Sequence, residues 1–208
     1  MSCQSAYIAA MNTRGRPLSF DKAIALKTAM DVFWRKGFVA TSIQDLTDAT
    51  GLSRASLYNA FGDKEQLFLA VIDHYAATES IKLLEVLQNP DTDGAEAIRT
   101  YFDRLVTFSC EEGRRLGCLL TNTATSFDQT CGSLEAVLDR MFGRVEGVLV
   151  ETLVRGQADG SLSPDLDTDK TAKFLIAFAQ GLRVLSRGAL RDEAFLRDAV
   201  DGALTVLK

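Results

Sequence analysis

Ser53, Arg54, Ala55, Ser56, Tyr58 and Asn59 put small or polar groups on a short segment whose other positions, Leu52, Leu57 and Phe61, are apolar. A helix with this pattern packs one face and offers the other, and the major groove of duplex DNA is just wide enough to admit it. Arginine donates a fork of hydrogen bonds to guanine, and asparagine pairs bidentately with adenine, so Arg54 and Asn59 are candidate base readers. Ser53, Ser56 and Tyr58 carry hydroxyls suited to phosphates or base edges. A short helix pair that only closes a bundle would show the same spacing.

A second group lies between Gly117 and Thr125, a stretch without charge but rich in hydroxyl and amide groups. On a helix, Cys118, Asn122 and Thr125 share a face. Tyr101, Leu105 and Phe108 of the preceding helix form an aromatic ridge that can face them, with Phe178 as a further wall. Apolar walls with a few convergent polar groups describe a small-molecule pocket; side chains hydrogen-bonded to their own helix in an ordinary core describe it equally well. Cys118 also sits near an expected helix start with Arg114 and Arg115 just upstream, two features that favour a thiolate. It is therefore a candidate redox or alkylation site, although a small buried hydrophobe is the commoner fate of a cysteine.

Other chemistry finds little support. A cysteine-dependent enzyme needs a base, and the single histidine, His74, falls on a different expected helix, where a structural hydrogen bond is its simplest role. No Gly-rich phosphate loop, paired histidine ligands or serine elbow occurs. Cys3, Cys110, Cys118 and Cys131 have no C-x-x-C spacing, so no metal and no cofactor are expected, and a reducing cytoplasm is the simplest compartment. Met1 to Met11 lack the basic start and long apolar run of an export signal, and Met11 is an alternative start. No stretch is apolar enough to span a membrane.

These groups need helices to hold them. Apolar residues recur at three- and four-residue spacing almost throughout, and no run alternates over a strand's length. The first helix is expected from Asp21 to Lys36, stopped by Gly37. Thr41 is expected to cap the second, to Thr50, in a capping box with Gln44. Gly51 breaks the chain before Ser53 caps a third helix to Ala60, and Asp63 caps a fourth that runs to Leu87. Further helices are expected over Gly94–Glu112, Cys118–Phe127, Ser133–Asp159, Asp167–Arg187 and Asp192–Leu207. The fold class is all-α.

The chain has 208 residues with a net charge of −5, so nucleic acid coating its whole surface is excluded. The charge is divided. Residues 12–64 carry eight Lys or Arg against five Asp, a net +3, and the chain from Glu65 onward carries −8. A cationic head on an acidic body suits local contact with a polyanion. Arg14-Gly15-Arg16-Pro17 reads as a basic arm that can lie in a minor groove, or as a solvated tail.

Thr41-Ser42-Ile43-Gln44-Asp45-Leu46, then Gly51 to Tyr58, then Phe61-Gly62-Asp63-Lys64-Glu65-Gln66-Leu67 resemble the N-terminal domain of the tetracycline-repressor (TetR/AcrR) family. Val32-Phe33-Trp34-Arg35-Lys36-Gly37-Phe38 is similar to the end of that family's first helix. The resemblance covers Phe20 to Tyr75. It implies a basic arm (1–19), a three-helix helix-turn-helix DNA-binding domain (20–65) and a larger helical effector-binding and dimerisation domain (66–208). It further implies that Thr41 touches phosphate and that Ser53, Arg54, Ala55 and Ser56 open the recognition helix. Tyr58 is then a backbone-contacting aromatic, and Lys64 a phosphate contact at a helix N-terminus. Asn59-Ala60 departs from the bulkier aromatic-and-histidine pair of many relatives. By the same resemblance the last two helices make a four-helix homodimer interface, and Gly117-Cys118 looks like a subgroup that senses electrophiles or oxidants by cysteine. The function implied is a cytoplasmic homodimeric repressor, released from operator DNA by a small molecule or by cysteine modification. A cysteine-dependent enzyme and a helical protein-interaction module are the alternatives.

Overall fold

Four side-chain caps set the beginning of the chain's architecture. The computed structural model describes residues 20–111, 116–126, 132–187 and 192–207; Cys3, Arg14, Arg16, Arg114, Arg115 and Cys131 lie outside them. Asp21 accepts from Ala23 N at 2.8 Å and starts α1 (Lys22–Lys36). Ser42 accepts from Asp45 N at 3.1 Å and starts α2 (Ile43–Thr50). Ser53 and Asp63 do the same for α3 (Arg54–Phe61) and α4 (Lys64–Tyr75). Between α2 and α3, Gly51 takes φ 69°, a left-handed conformation that costs a glycine little.

The capping box of α2 is therefore Ser42 with Asp45, not the expected Thr41 with Gln44. Asp45 reaches back to Ser42 N at 2.9 Å and pairs with Lys36 Nζ at 2.5 Å. The Lys36 bond, with those from Ser42, holds the Asp45 carboxyl down at about 2. Gln44 donates instead to Asp48, one turn on. Thr41 is buried, and its hydroxyl donates to Gly37 O at 2.6 Å.

Behind the caps, Ala29, Phe33, Leu46, Leu57, Leu67, Phe68 and Ile72 form one apolar cluster, in which the Phe33 and Phe68 rings meet edge to face at 4.8 Å. Each large side chain so enclosed is worth about 1.5–3 kcal/mol. The cluster does not end with the head. It continues into Cys118, Leu119, Leu120, Leu134 and Leu138.

The expected fourth helix to Leu87 is one rod with a widened turn. α4 passes into a π segment (Ala76–Ser80) and then α5 (Ile81–Leu87). There the Ile81 N–H reaches Ala76 O, five residues back, while Thr78 Oγ1 donates to His74 O at 2.8 Å. The remaining helices are α6 (Gly94–Cys110), α7 (Leu119–Ser126), α8 (Gly132–Asp159), α9 (Thr168–Ser186) and α10 (Glu193–Leu204), closed by a 3₁₀ turn (Thr205–Leu207). Central α6 packs against α5, α8, α9 and α10, burying Ile98, Phe102 and Leu105 with Leu149, Leu153 and Leu175. Among the described residues there is no strand, and no helix is long and apolar enough to cross a membrane.

The α6–α8 contact depends on two glycines. A Cβ on Gly94 would lie 2.4 Å from Gly156 Cα, a backbone clash that no rotamer relieves. Gly94→Ala should destabilise the fold by about 1–3 kcal/mol. Gly147→Ala, on an open stretch of α8, should stabilise it by up to about 1 kcal/mol through helix propensity alone. Urea unfolding of the two variants checks the opposite signs.

Candidate functional site

α3 presents its polar face outward. Ser53, Arg54, Ala55 and Asn59 are exposed, Ser56 and Tyr58 partly so, and Leu57 and Phe61 anchor the helix from beneath. Arg54 Nη2 donates to Tyr58 Oη at 3.3 Å, and its guanidinium stands 5.3 Å from that ring. The arginine is thus laid along the helix surface one turn from its own backbone. Ser53 spends its hydroxyl on the cap and on Ser56 Oγ at 2.9 Å, which fixes the first turn.

Lys64, the first residue of α4, sits beside this face with its Nζ 4.5 Å from the Phe38 ring centroid; partial burial pulls its pKa down. Neither Arg54 nor Lys64 joins an ion pair among the described residues, so both charges are available to an anion. Thr41 is not. Its burial and its bond to Gly37 remove the hydroxyl expected to touch phosphate.

A cavity of about 270 Å³ opens on the other side of the rod, among α4, the π segment, α5, α6 and α9. Leu105 and Phe108 form its wall, as the sequence pattern suggests, together with Tyr75, Glu79, Leu83 and Arg183. Tyr101 and Cys118 lie behind Arg183, on a small void that the same arginine lines.

Three expected wall residues are elsewhere. Asn122 is spent on the loop before α7, donating from Nδ2 to Leu116 O at 2.6 Å and accepting from Arg187 Nη1 at 2.8 Å. Thr125 is exposed, with its hydroxyl on Thr121 O and Asn122 O. Phe178 packs on Phe102 and Phe174. α7 turns Leu119, Leu120 and Thr123 inward, which leaves Thr125 on its outer side.

Arg183 and Tyr75 govern the chemistry behind the cavity. Tyr75 Oη donates to Cys118 Sγ at 3.6 Å. Burial works to raise the Cys118 thiol, but the Arg183 charge and hydrogen bonds from Thr121 and Tyr75 outweigh it and hold the pKa below the ordinary value. Burial pushes the Tyr75 hydroxyl well up, helped by Cys118. Burial works against the Arg183 charge, while Cys118, Tyr75 and Tyr101 favour it, and the net direction of its pKa is upward. The sequence carries one overlooked sign of this arginine. It lies four residues after Ala179, on the stripe of α9 that buries Leu175, Ala179 and Leu182. Among the described residues no three His, Cys, Asp or Glu side chains gather to hold a metal.

One further surface is apolar. Phe174, Val184 and Leu185 on α9, Phe195 on α10 and Val206 beyond it are each at least 40% exposed.

Comparison with known proteins places both halves of the chain. A family profile for "Bacterial regulatory proteins, tetR family" matches residues 25–71, and one for "Tetracyclin repressor-like, C-terminal domain" matches 94–202. The HTH-type transcriptional repressor ComR of Escherichia coli is 33% identical over 84% of this chain and 83% of its own length. The uncharacterized HTH-type regulator YezE of Bacillus subtilis is 30% identical over 93% of this chain and 99% of its own. Among solved structures, a cysteine-substituted form of the TetR family regulator CifR, complexed with 26-bp double-strand operator DNA, superposes with a TM-score of 0.83. It is 30% identical, covering 93% of this chain and 100% of that one.

Proposed function

This chain belongs to the tetracycline-repressor family of helix-turn-helix transcriptional regulators, and from that premise we propose a homodimeric repressor whose α3 reads operator DNA and which a small molecule in the α5–α6–α9 cavity releases. The operator complex of CifR supports the same docking here. Ser53, Arg54, Ala55 and Ser56 enter the major groove, with Tyr58 and Asn59 following. Lys64 takes a phosphate where the first amides of α4 face outward. Residues 20–65 form the head, and 66–208 carry effector binding and dimerisation, through the apolar face of α9 and α10. The protein works in the cytoplasm and catalyses no turnover.

The observation that carries this reading is that one rod serves both sites. Leu67, Phe68, Val71 and Ile72 of α4 pack the core beneath α3, while Tyr75, Glu79 and Leu83 of the same rod line the cavity. A second tie runs through Trp34 of α1, whose Nε1 donates to Gly117 O at 3.1 Å and whose ring meets Tyr75 edge to face at 5.1 Å. A ligand that displaces Tyr75 or the π segment tilts the heads and changes the separation of the two recognition helices. It must bind the released state more tightly, or it shifts nothing. Modification of Cys118 offers another route, because this thiol is held low and packs within the apolar cluster of α1 to α4.

The test is operator binding by fluorescence anisotropy, followed by titration of ligands that fill the cavity. Leu83→Trp, at a half-buried wall position, should abolish release while leaving operator affinity unchanged; release unaffected by Leu83→Trp contradicts the cavity. Lys64→Ala should weaken binding to operator and random duplex alike. It should also flatten the slope of log affinity against log salt by about 0.9 for each phosphate that is no longer neutralised, summed over both subunits.

A further inference from the structure

Resting on the cavity as effector site, we infer that its ligand is a small monocarboxylate with an otherwise apolar body, its carboxylate received by Arg183. The cavity holds a half-buried cation that has no carboxylate partner among the described residues. Arg183 joins no ion pair among the described residues, and the groups that act on its charge are the Cys118 thiol and the Tyr75 and Tyr101 hydroxyls. Arg183 is half-buried, and it lines both the 270 Å³ cavity and the small void behind. Among the described residues, neither carboxylate of the lining, Glu79 or Glu111, forms an ion pair with Arg183, and a cation withdrawn from water gains most from an anion that completes the pairing. A guanidinium meets a carboxylate with two parallel hydrogen bonds, a geometry that neither a thiol nor a phenol reproduces.

The other walls choose the rest of the molecule. Leu83, Leu105 and Phe108 supply apolar surface. The remaining charged lining groups carry both signs, Lys82 and Arg104 against Glu79 and Glu111, with Lys82 and Glu79 paired at 3.3 Å. Arg104 is exposed and Lys82 is paired, so Arg183 is the half-buried cation of the lining, and one negative group suffices. The volume lies just under the usual range for ligand sites, which points to an aromatic or short branched acid and not a long-chain one.

The experiment compares acids with neutral isosteres of the same shape: benzoate and phenylacetate against benzamide and phenylacetamide. Each is titrated into the full-length dimer and into its operator complex, read by calorimetry and by anisotropy. The acids should bind and release DNA, and the amides should be about 10- to 100-fold weaker. Arg183→Met should erase the preference for acids, and Arg183→Lys, which keeps the charge but not the fork, should retain part of it. Operator binding by each variant, measured in the same titrations, shows that it has folded. Amides that bind and release as well as the acids overturn the carboxylate assignment and leave the cavity as effector site. Failure of both series to bind overturns the assignment and the cavity reading together.

Discussion

The Phe174→Glu, Phe195→Glu double variant should sediment as a monomer and bind operator at least about 100-fold more weakly than the parent. Both rings are 42% exposed, on helices whose opposite faces bury Leu175, Leu182, Leu196 and Val200. Large aromatic side chains dominate interface energetics, and Val184, Leu185 and Val206 extend the same apolar face. Carboxylates there remove the Phe174 ring from Phe178 but keep the fully buried core residues, and they cannot be buried against a second copy without a large desolvation cost. A dimer places its second head beside a half-site at high effective concentration, and a monomer loses that advantage entirely. Sedimentation velocity and anisotropy on one sample separate the two effects, with far-UV circular dichroism to show that helicity is kept. A double variant that remains dimeric contradicts the assigned interface.

Arg54→Ala should cost about 1–3 kcal/mol of operator binding, a loss of about 5- to 150-fold, while binding to random duplex changes far less. The prediction rests on position. Arg54 is the first residue of α3, exposed, outside any ion pair among the described residues and laid against Tyr58 at 3.3 Å, so it reaches a base edge from a restrained start. A residue that only neutralised phosphate would lose affinity equally on every sequence. Arg54→Lys should fail almost as badly, because a lysine cannot make the fork that guanine accepts. Competition binding with operator and scrambled fragments at one salt concentration provides the measurement. Equal losses on both fragments would show that Arg54 reads no base.

The head was legible because its signals are local. Gly51, Ser53 and Asp63 mark turn and caps within a few residues, and the apolar positions follow helical spacing. The error at Thr41 is also local. Two hydroxyl residues stand side by side before α2, and the short, charged Asp45 side chain selects Ser42. The π segment left no mark in the apolar pattern, because Ala76–Ser80 shifts the hydrogen-bond register without interrupting the helix. The cavity was half legible. Leu105 and Phe108 stand one turn apart on a single helix, but Tyr75 and Arg183 join them only through packing between distant parts of the chain. Trp34 and Gly117 illustrate the same limit: neither residue's surroundings in sequence announce the bond between them.

The central claim is that α3 occupies the major groove at each of two half-sites. Dimethyl sulfate protection of guanine N7, on a duplex selected by the protein from a random pool, reads that groove directly. The account predicts protection in two windows on one face of the duplex, separated by a whole number of helical turns, with one guanine in each window becoming reactive again in Arg54→Ala. Uniform methylation at every guanine while the protein is bound would place α3 outside the groove and contradict it.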